Sequence, residues 1–419
     1  MLKAILRVGC ALCILSFPID GVTQETVKVA LNIPRSGSFA NIGDLYVNHA
    51  QLAIEAINAR GGVLGGRKFE IVVLDNKNST QDALLVLKQI TDREIPFMIQ
   101  SGGSHIAVPL AAAVEKHNSR NPAKRLLFLD EPGDQELTNE LCSFWTFTFM
   151  ANQEVKMEAI TRYIAKQPDI KRVYLINQDY VFGQQVQHYA RVMLTTKRPD
   201  IEIVGDDLHP LGKVKDFAPY VAKIIASKAD TVITGNWGND MTLLVRAAAE
   251  SGLKAAFYTY YGLGPGAPTA MGPAAIDRVR VLWRWSPDLP GNTAGQANEL
   301  LRYHEYKRRF ALEYYSMPLM NLFEMLAAAI DRAGSTDAVK VAYALENMRF
   351  PGNSGDVWMR ADDHQLFEPL YMIAFARVNG YDVKYDMENS GTGMHTETRF
   401  EINDLLRPTS CHMERPSGH

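Results

Sequence analysis

The sequence has 419 residues, 47% of them apolar and 22% charged, with 44 Lys+Arg against 47 Asp+Glu and a formal net charge of −3. Such fractions exclude a disordered chain, a collagen and a coiled-coil rod, and the small, dispersed charge gives no footprint for nucleic acid or a membrane surface. The chain exceeds the roughly 250–300 residues that one hydrophobic core serves, so two domains of ordinary size are expected.

Lys3 and Arg7 lead into an apolar run over 8–17, broken by Pro18 and followed by a polar segment from Asp20 to Thr26. The run is shorter than the about 20 apolar residues a bilayer span needs. A charged start, a short apolar stretch and a polar exit are the layout of a secretory signal peptide, with removal expected between Gly21 and Gln24. A buried amino-terminal strand or helix is the alternative. Export would remove Cys10 and Cys13 and leave Cys142 and Cys411. An even number of cysteines in an oxidising compartment favours a disulfide, here closing a loop of about 270 residues; two buried free thiols are the plainer reading. No later segment is long and apolar enough to span a membrane.

Val27, Val29, Leu31 and Ile33 alternate at period two, and FEIVVL at 69–74 is the near-continuous apolar run of a parallel strand covered on both faces. Between them Tyr46, Ala50, Ala53 and Ile57 recur at helical spacing and stop at Gly61-Gly62. Leu84, Leu87 and Ile90 mark another helix; strand 95–99, helix 106–117 and strand 125–129 follow. The pattern restarts after residue 150 with strand 173–177, helix 183–194, strand 201–204, helix 216–226, strand 231–234, helix 241–251 and strand 256–260. Segment 262–274 (GLGPGAPTAMGPA) reads as a loop. Strand 279–283, helices over 295–314 and 319–333, and a strand-like stretch over 352–385 complete the series. It predicts an α/β fold of two doubly wound parallel-sheet units. Such sheets bind ligands at the carboxyl ends of their strands, which points to loops 34–42, 75–79, 101–105, 130–134, 178–182, 235–240 and 261–266.

Catalytic patterns are missing from those loops. There is no G-x-x-x-x-G-K-[ST], no G-x-S-x-G and no H-E-x-x-H, and the histidines show no zinc spacing. Gly262-Leu263-Gly264-Pro265-Gly266 is a poor dinucleotide loop, because Pro265 and the third-glycine spacing are wrong. Ser104 and His105 are adjacent, so their side chains point apart at a helix start; a binding or capping serine is favoured over a nucleophile. Asp362-Asp363-His364 reads as a solvated turn. No enzyme activity, cofactor or metal is expected.

Several segments together resemble a known family: VKVALNIPRSGSFANIG (27–43), AIEAINARGGVLGGRKFEIVVLDNKNS (53–79), IQSGGSHIAVPLAAAVEKHN (99–118), INQDYVFGQQV (176–186) and TVITGNWGNDMTLLVRAAAESGLKAAFYTYYG (231–262). They are similar to the leucine/isoleucine/valine-type periplasmic binding proteins, the type I solute receptors of ABC importers. The resemblance implies two lobes joined by hinge crossings near 149–152, 283–287 and 351–358. It gives a signal peptide over 1–24, one lobe of 25–150 plus 284–352, a second of 151–283 plus 353–400, and a tail over 401–419. It further implies a periplasmic monomer that closes on a small organic ligand and is then recognised by a membrane permease.

Carried over residue by residue, the family's serine loop, which holds a ligand carboxylate, falls on Gly103 and Ser104, at a helix start suited to an anion. The next strand-end loop is Asp130-Glu131-Pro132-Gly133, a departure that sets two acids beside that site and would select a cation or hydroxyls if they face the ligand. Tyr180 or Phe182 matches an aromatic of the second lobe, and Trp237 a later wall. The position that commonly supplies an acid for an α-ammonium falls on Tyr261. Tyr180 and Phe182 could equally be helix-start packing, Asp130 and Glu131 could be solvated, and only one of Tyr260 and Tyr261 can face the cleft. The resemblance thus implies a solute-binding protein for amino acids, aromatic acids or related compounds. A sensory or regulatory partner of the same fold is the alternative, and a secreted hydrolase lacks an activated nucleophile.

Overall fold

The computed structural model describes residues 25–289 and 293–416. Its first sheet takes β1 (Val27–Ile33), β2 (Phe69–Asp75), β3 (Phe97–Gln100), β4 (Leu127–Asp130) and β5 (Thr146–Thr148) in the order β2-β1-β3-β4-β5. Every pair is parallel. Parallel neighbours need crossovers; α1 (Ala40–Ala59), α2 (Thr80–Asp92) and α3 (Ser104–Arg120) supply those up to β4, and a loop with a 3-10 turn over Glu136–Thr138 leads from β4 to β5. β3 and β4 are buried at every position, as strands covered on both faces must be.

The chain continues through α4 (Gln153–Ile164), β6 (Arg172–Gln178), α5 (Val181–Lys197), β7 (Glu202–His209), α6 (Ala218–Ala226), β8 (Thr231–Thr234), α7 (Gly238–Glu250), β9 (Ala256–Thr259), α8 (Ala267–Met271) and β10 (Val279–Trp283). Three helices follow, α9 (Ala294–Phe310), α10 (Leu319–Ala333) and α11 (Ala338–Leu345), and then a small sheet of β11 (Arg349–Gly352), β12 (Gly355–Met359) and β13 (Leu366–Phe367). β14 (Leu370–Arg377), β15 (Thr392–Phe400) and the short α12 (Ile402–Leu405) end the series. The second sheet has the order β15-β14-β10-β9-β8-β6-β7. Helix starts carry their own signals: Ser79 accepts from the Asp82 N–H at 3.4 Å, Asn152 from Val155 at 3.0 Å, and Thr293 forms a reciprocal box with Gln296.

The structure departs from the sequence reading in five places. The second sheet is mixed, because β14 runs antiparallel to β10 and to β15; the link over 378–391 carries no helix, so β15 can only return beside β14. The helix expected to Tyr314 ends at Phe310, where Ala311 takes a left-handed conformation (φ 52°) and caps it. Segment 262–274 holds α8 and a 3-10 turn over Gly272–Ala275; Pro268 and Pro273 stand in first turns, where a missing N–H costs nothing. β5, α4, α11 and β15 carry no expectation from the sequence. Last, Asp363-His364 is buried: Arg360 Nε donates to Asp363 at 2.8 Å, and the His364 ring stacks 3.8 Å from Phe147 with Nε2 2.8 Å from Glu346.

Cys142 and Cys411 form a disulfide with Cα atoms 5.6 Å apart, in place of two free thiols. Thr409 Oγ1 donates to the Thr138 carbonyl at 2.7 Å, and the Ser410 N–H donates to Asn139 at 3.1 Å. The tail therefore leaves the second sheet at Phe400 and is fastened beside β5 of the first. The expected signal peptide, with Cys10 and Cys13, lies outside the described residues. Among the described residues no helix is long and apolar enough to cross a membrane.

Candidate ligand-binding site

One cavity lies where the carboxyl ends of strands from both sheets meet, with about 90 Å³ of room for the centre of a water molecule. From the first sheet, β3 feeds Ser101, Gly102, Gly103 and Ser104 into its wall, and β4 feeds Glu131, Pro132 and Asp134. From the second, β6 delivers Tyr180 and Phe182, β8 Trp237, β9 Tyr261 and β10 Trp283. All seven residues singled out from the sequence therefore line one space. Tyr261 faces it, and Tyr260, 1% exposed, points into the core as strand alternation requires. Phe182 does both jobs, lining the cavity while its ring packs 6.2 Å from Tyr261 and 6.4 Å from Tyr260.

The two sides touch. The Phe39 ring lies 4.5 Å from that of Trp237, and Asn239 Nδ2 donates to the Ser38 carbonyl at 3.3 Å. Trp237 Nε1 donates to Tyr180 Oη at 2.7 Å, which fixes both rings in the wall. Gly103 permits the closest approach, since a Cβ there would sit 2.9 Å from Tyr180 Cε2 and from His105 Nδ1. At Gly238 the backbone has φ +60°, and a Cβ would crowd Phe39 at 3.1 Å.

A model of the family described as periplasmic binding protein matches residues 26–380. The chain belongs to the periplasmic binding protein family. It is 30% identical over 430 residues to the Leu/Ile/Val-binding protein homolog 4 of Brucella melitensis, with 99% of each chain covered. The closed form of the Leu/Ile/Val/Thr/Ala-binding protein of Brucella ovis superposes with a TM-score of 0.81 at 28% identity, over 93% of this chain and 100% of that one. A solute-binding protein of an ABC transporter from Rhodopseudomonas palustris, solved with 3,4-dihydroxybenzoic acid, shares the fold at a TM-score of 0.76 and 19% identity, covering 90% of this chain and 98% of that one.

Within this binding-protein fold several polar groups of the cavity are engaged with one another. The Ser104 hydroxyl donates to Asp134, not to His105, and the Tyr46 hydroxyl donates to Glu131. Burial raises the Glu131 carboxyl to about 7 against the pull of the Tyr46 hydrogen bond. Burial raises Asp134 too, and Asp130 further, because Asp130 also faces the charge of Asp134. Asp130 itself does not line the cavity; it accepts from the N–H groups of Gly133 at 3.1 Å and Asp134 at 3.2 Å and so shapes the loop. Lys156, in the first turn of α4, holds its ammonium 5.7 Å from the Tyr261 ring centroid, and burial lowers it to about 8. Among the described residues no group of three or more His, Cys, Asp or Glu is placed to hold a metal.

Sequence reasoning missed Tyr46, Asp134, Trp283 and Tyr315 as wall residues. Tyr46 looked like one more apolar position of a helix face. Trp283 closes a strand, so the strand-end rule would have found it had it been applied to β10. Tyr315 lies beyond α9, in a segment read as helix end.

Proposed function

We propose that the protein is the periplasmic solute-binding component of a branched-chain-amino-acid-type ABC importer, exported with loss of residues 1–24 and acting as a monomer. It binds a small polar organic solute, an amino acid, aromatic acid or related compound, and presents the closed form to the permease. The carrying observation is a cavity whose walls come from the strand ends of two sheets. A ligand there contacts both sides at once, so it favours closure by its preference for the closed state.

We assign the lobes to 25–150 plus 284–352 and 151–283 plus 353–400. The two large sheets support this, with β1–β5 in the first span and β6–β10, β14 and β15 in the second, whereas the small sheet β11-β12-β13 straddles the boundary at 352/353. The packing of α10 on the first unit supports it too, where Leu64 N–H donates to Asp331 at 2.7 Å and Phe69 meets Phe323 edge-on at 6.2 Å. In the wall, Gly103, Ser104 and Glu131 serve one lobe and Tyr180, Phe182, Trp237 and Tyr261 the other. A thermal-shift screen of amino acids, aromatic acids, amides, amines and polyols tests the reading: a ligand present at 100 times its Kd adds about 2.7 kcal/mol of stability. A screen in which no compound raises the melting temperature, or one in which a product accumulates, refutes it.

A further inference from the structure

We propose that the solute, on the solute-binding reading above, is a small organic cation: an amine or methylated ammonium without a free carboxylate, held by Glu131 and Asp134 within the aromatic wall. Among the described residues no Arg, Lys or His lines the cavity, so no cationic side chain there waits for an anion. Of the side-chain donors in the wall, Trp283 Nε1 has no partner and three others are committed. Ser104 donates to Asp134, Tyr46 to Glu131, and the Trp237 N–H to Tyr180. Asp134 thus occupies, from within the protein, the partner position that a ligand carboxylate would take on Ser104.

The wall also leaves two carboxylate acceptors unsatisfied. Glu131 Oε1 and Asp134 Oδ2 have no hydrogen-bond partner, and the two residues are 1% and 2% exposed. A buried carboxylate oxygen without a donor is costly, and a ligand N–H that reaches it removes that cost. Around the site the buried acids outnumber the buried bases, while burial holds Asp130 and Glu131 toward the protonated form. Asp130, Glu131, Asp134 and Glu368 face Lys156 and Arg284, and Arg284 is committed to Glu368 at 3.1 Å from Nε. The Lys156 ammonium lies over the Tyr260 and Tyr261 rings and is not part of the wall. A cation among the faces of Trp237, Tyr180 and Tyr261 gains from the ring quadrupoles as well as from the acids. A metal ion does not fit the same donors, since the described residues offer no cluster of three.

Calorimetric titration of the mature protein with matched probes tests the proposal: phenethylamine against 3-phenylpropionate and phenylalanine, and choline and butylamine against butyrate. In at least one set the amine binds about 100-fold more tightly than the acid of the same length, and more tightly than the amino acid. Glu131→Gln keeps an acceptor for Tyr46 and weakens the amine about 10-fold or more, as does Asp134→Asn, so the test survives if one variant fails to fold. An acid that binds as tightly as its matched amine overturns the cation assignment and leaves solute binding standing, as does amine affinity unchanged in both variants. If no probe of either kind, and no compound of the wider screen, binds the protein, both readings fall together.

Discussion

Glu131 carries two opposed effects. Its folded-state carboxyl titrates near 7, above the ordinary 4.5, with Tyr46, Lys156, Arg284 and Asp134 facing it. Between these values the folded protein holds a proton that the unfolded chain releases. This contribution to stability is complete below pH 4.5 and is lost as pH rises through 7. Glu131→Gln removes the effect, so at pH 8 the empty variant is more stable than the parent by about 3 kcal/mol, and at pH 4 the two are alike. Denaturant melts at both pH values check this, and equal differences at the two refute it. Trp237 tests the opposite side. Trp237→Ala loses the Phe39 contact and the hydrogen bond to Tyr180, and ligand affinity falls by about 1–3 kcal/mol. Unchanged affinity removes the ring from the site. These residues were legible in the sequence because each follows a strand. Which of their polar atoms remain free was not, since Ser104 meets Asp134 and Tyr46 meets Glu131 across 30 and 85 residues.

Among the elements, α5 depends on a close approach. A Cβ on Gly183 would fall 1.9 Å from the Gln178 carbonyl oxygen at the end of β6, so the first turn of α5 sits against its own strand only because that residue is glycine. Gly183→Ala pushes the turn outward and with it Tyr180 and Phe182. A destabilisation of about 1–3 kcal/mol is expected, together with weaker ligand binding. A variant that melts and binds like the parent shows that the helix start does not set the wall. The regular elements were read closely where pattern and caps agreed, as over β8, β10 and α10. Errors came where a cap overrode the pattern, at Ala311, and where short apolar stretches carried no period, as over β5 and α11.

For the whole molecule, the disulfide matters most. It joins positions 269 apart and fastens the tail, which leaves the second sheet, to the segment before β5 of the first. Replacing Cys142 and Cys411 with serine releases a loop whose closure is worth about 5 kcal/mol in chain-entropy terms, and less in practice. We expect a lower melting temperature and, in scattering of the unliganded protein, a larger radius of gyration, because the strap no longer limits separation of the sheets. An unchanged radius shows that the strap does not restrain opening.

The sequence by itself determined the alternation of strands and helices, the strand ends where ligand groups gather, and the family, since these follow from periodicity and local turn chemistry. Only the tertiary structure decided that β14 and β15 close the second sheet antiparallel, and that Ser104 and Tyr46 spend their hydroxyls on the protein's own acids. Those outcomes depend on which distant segments come within hydrogen-bond reach, and local pattern carries no record of that.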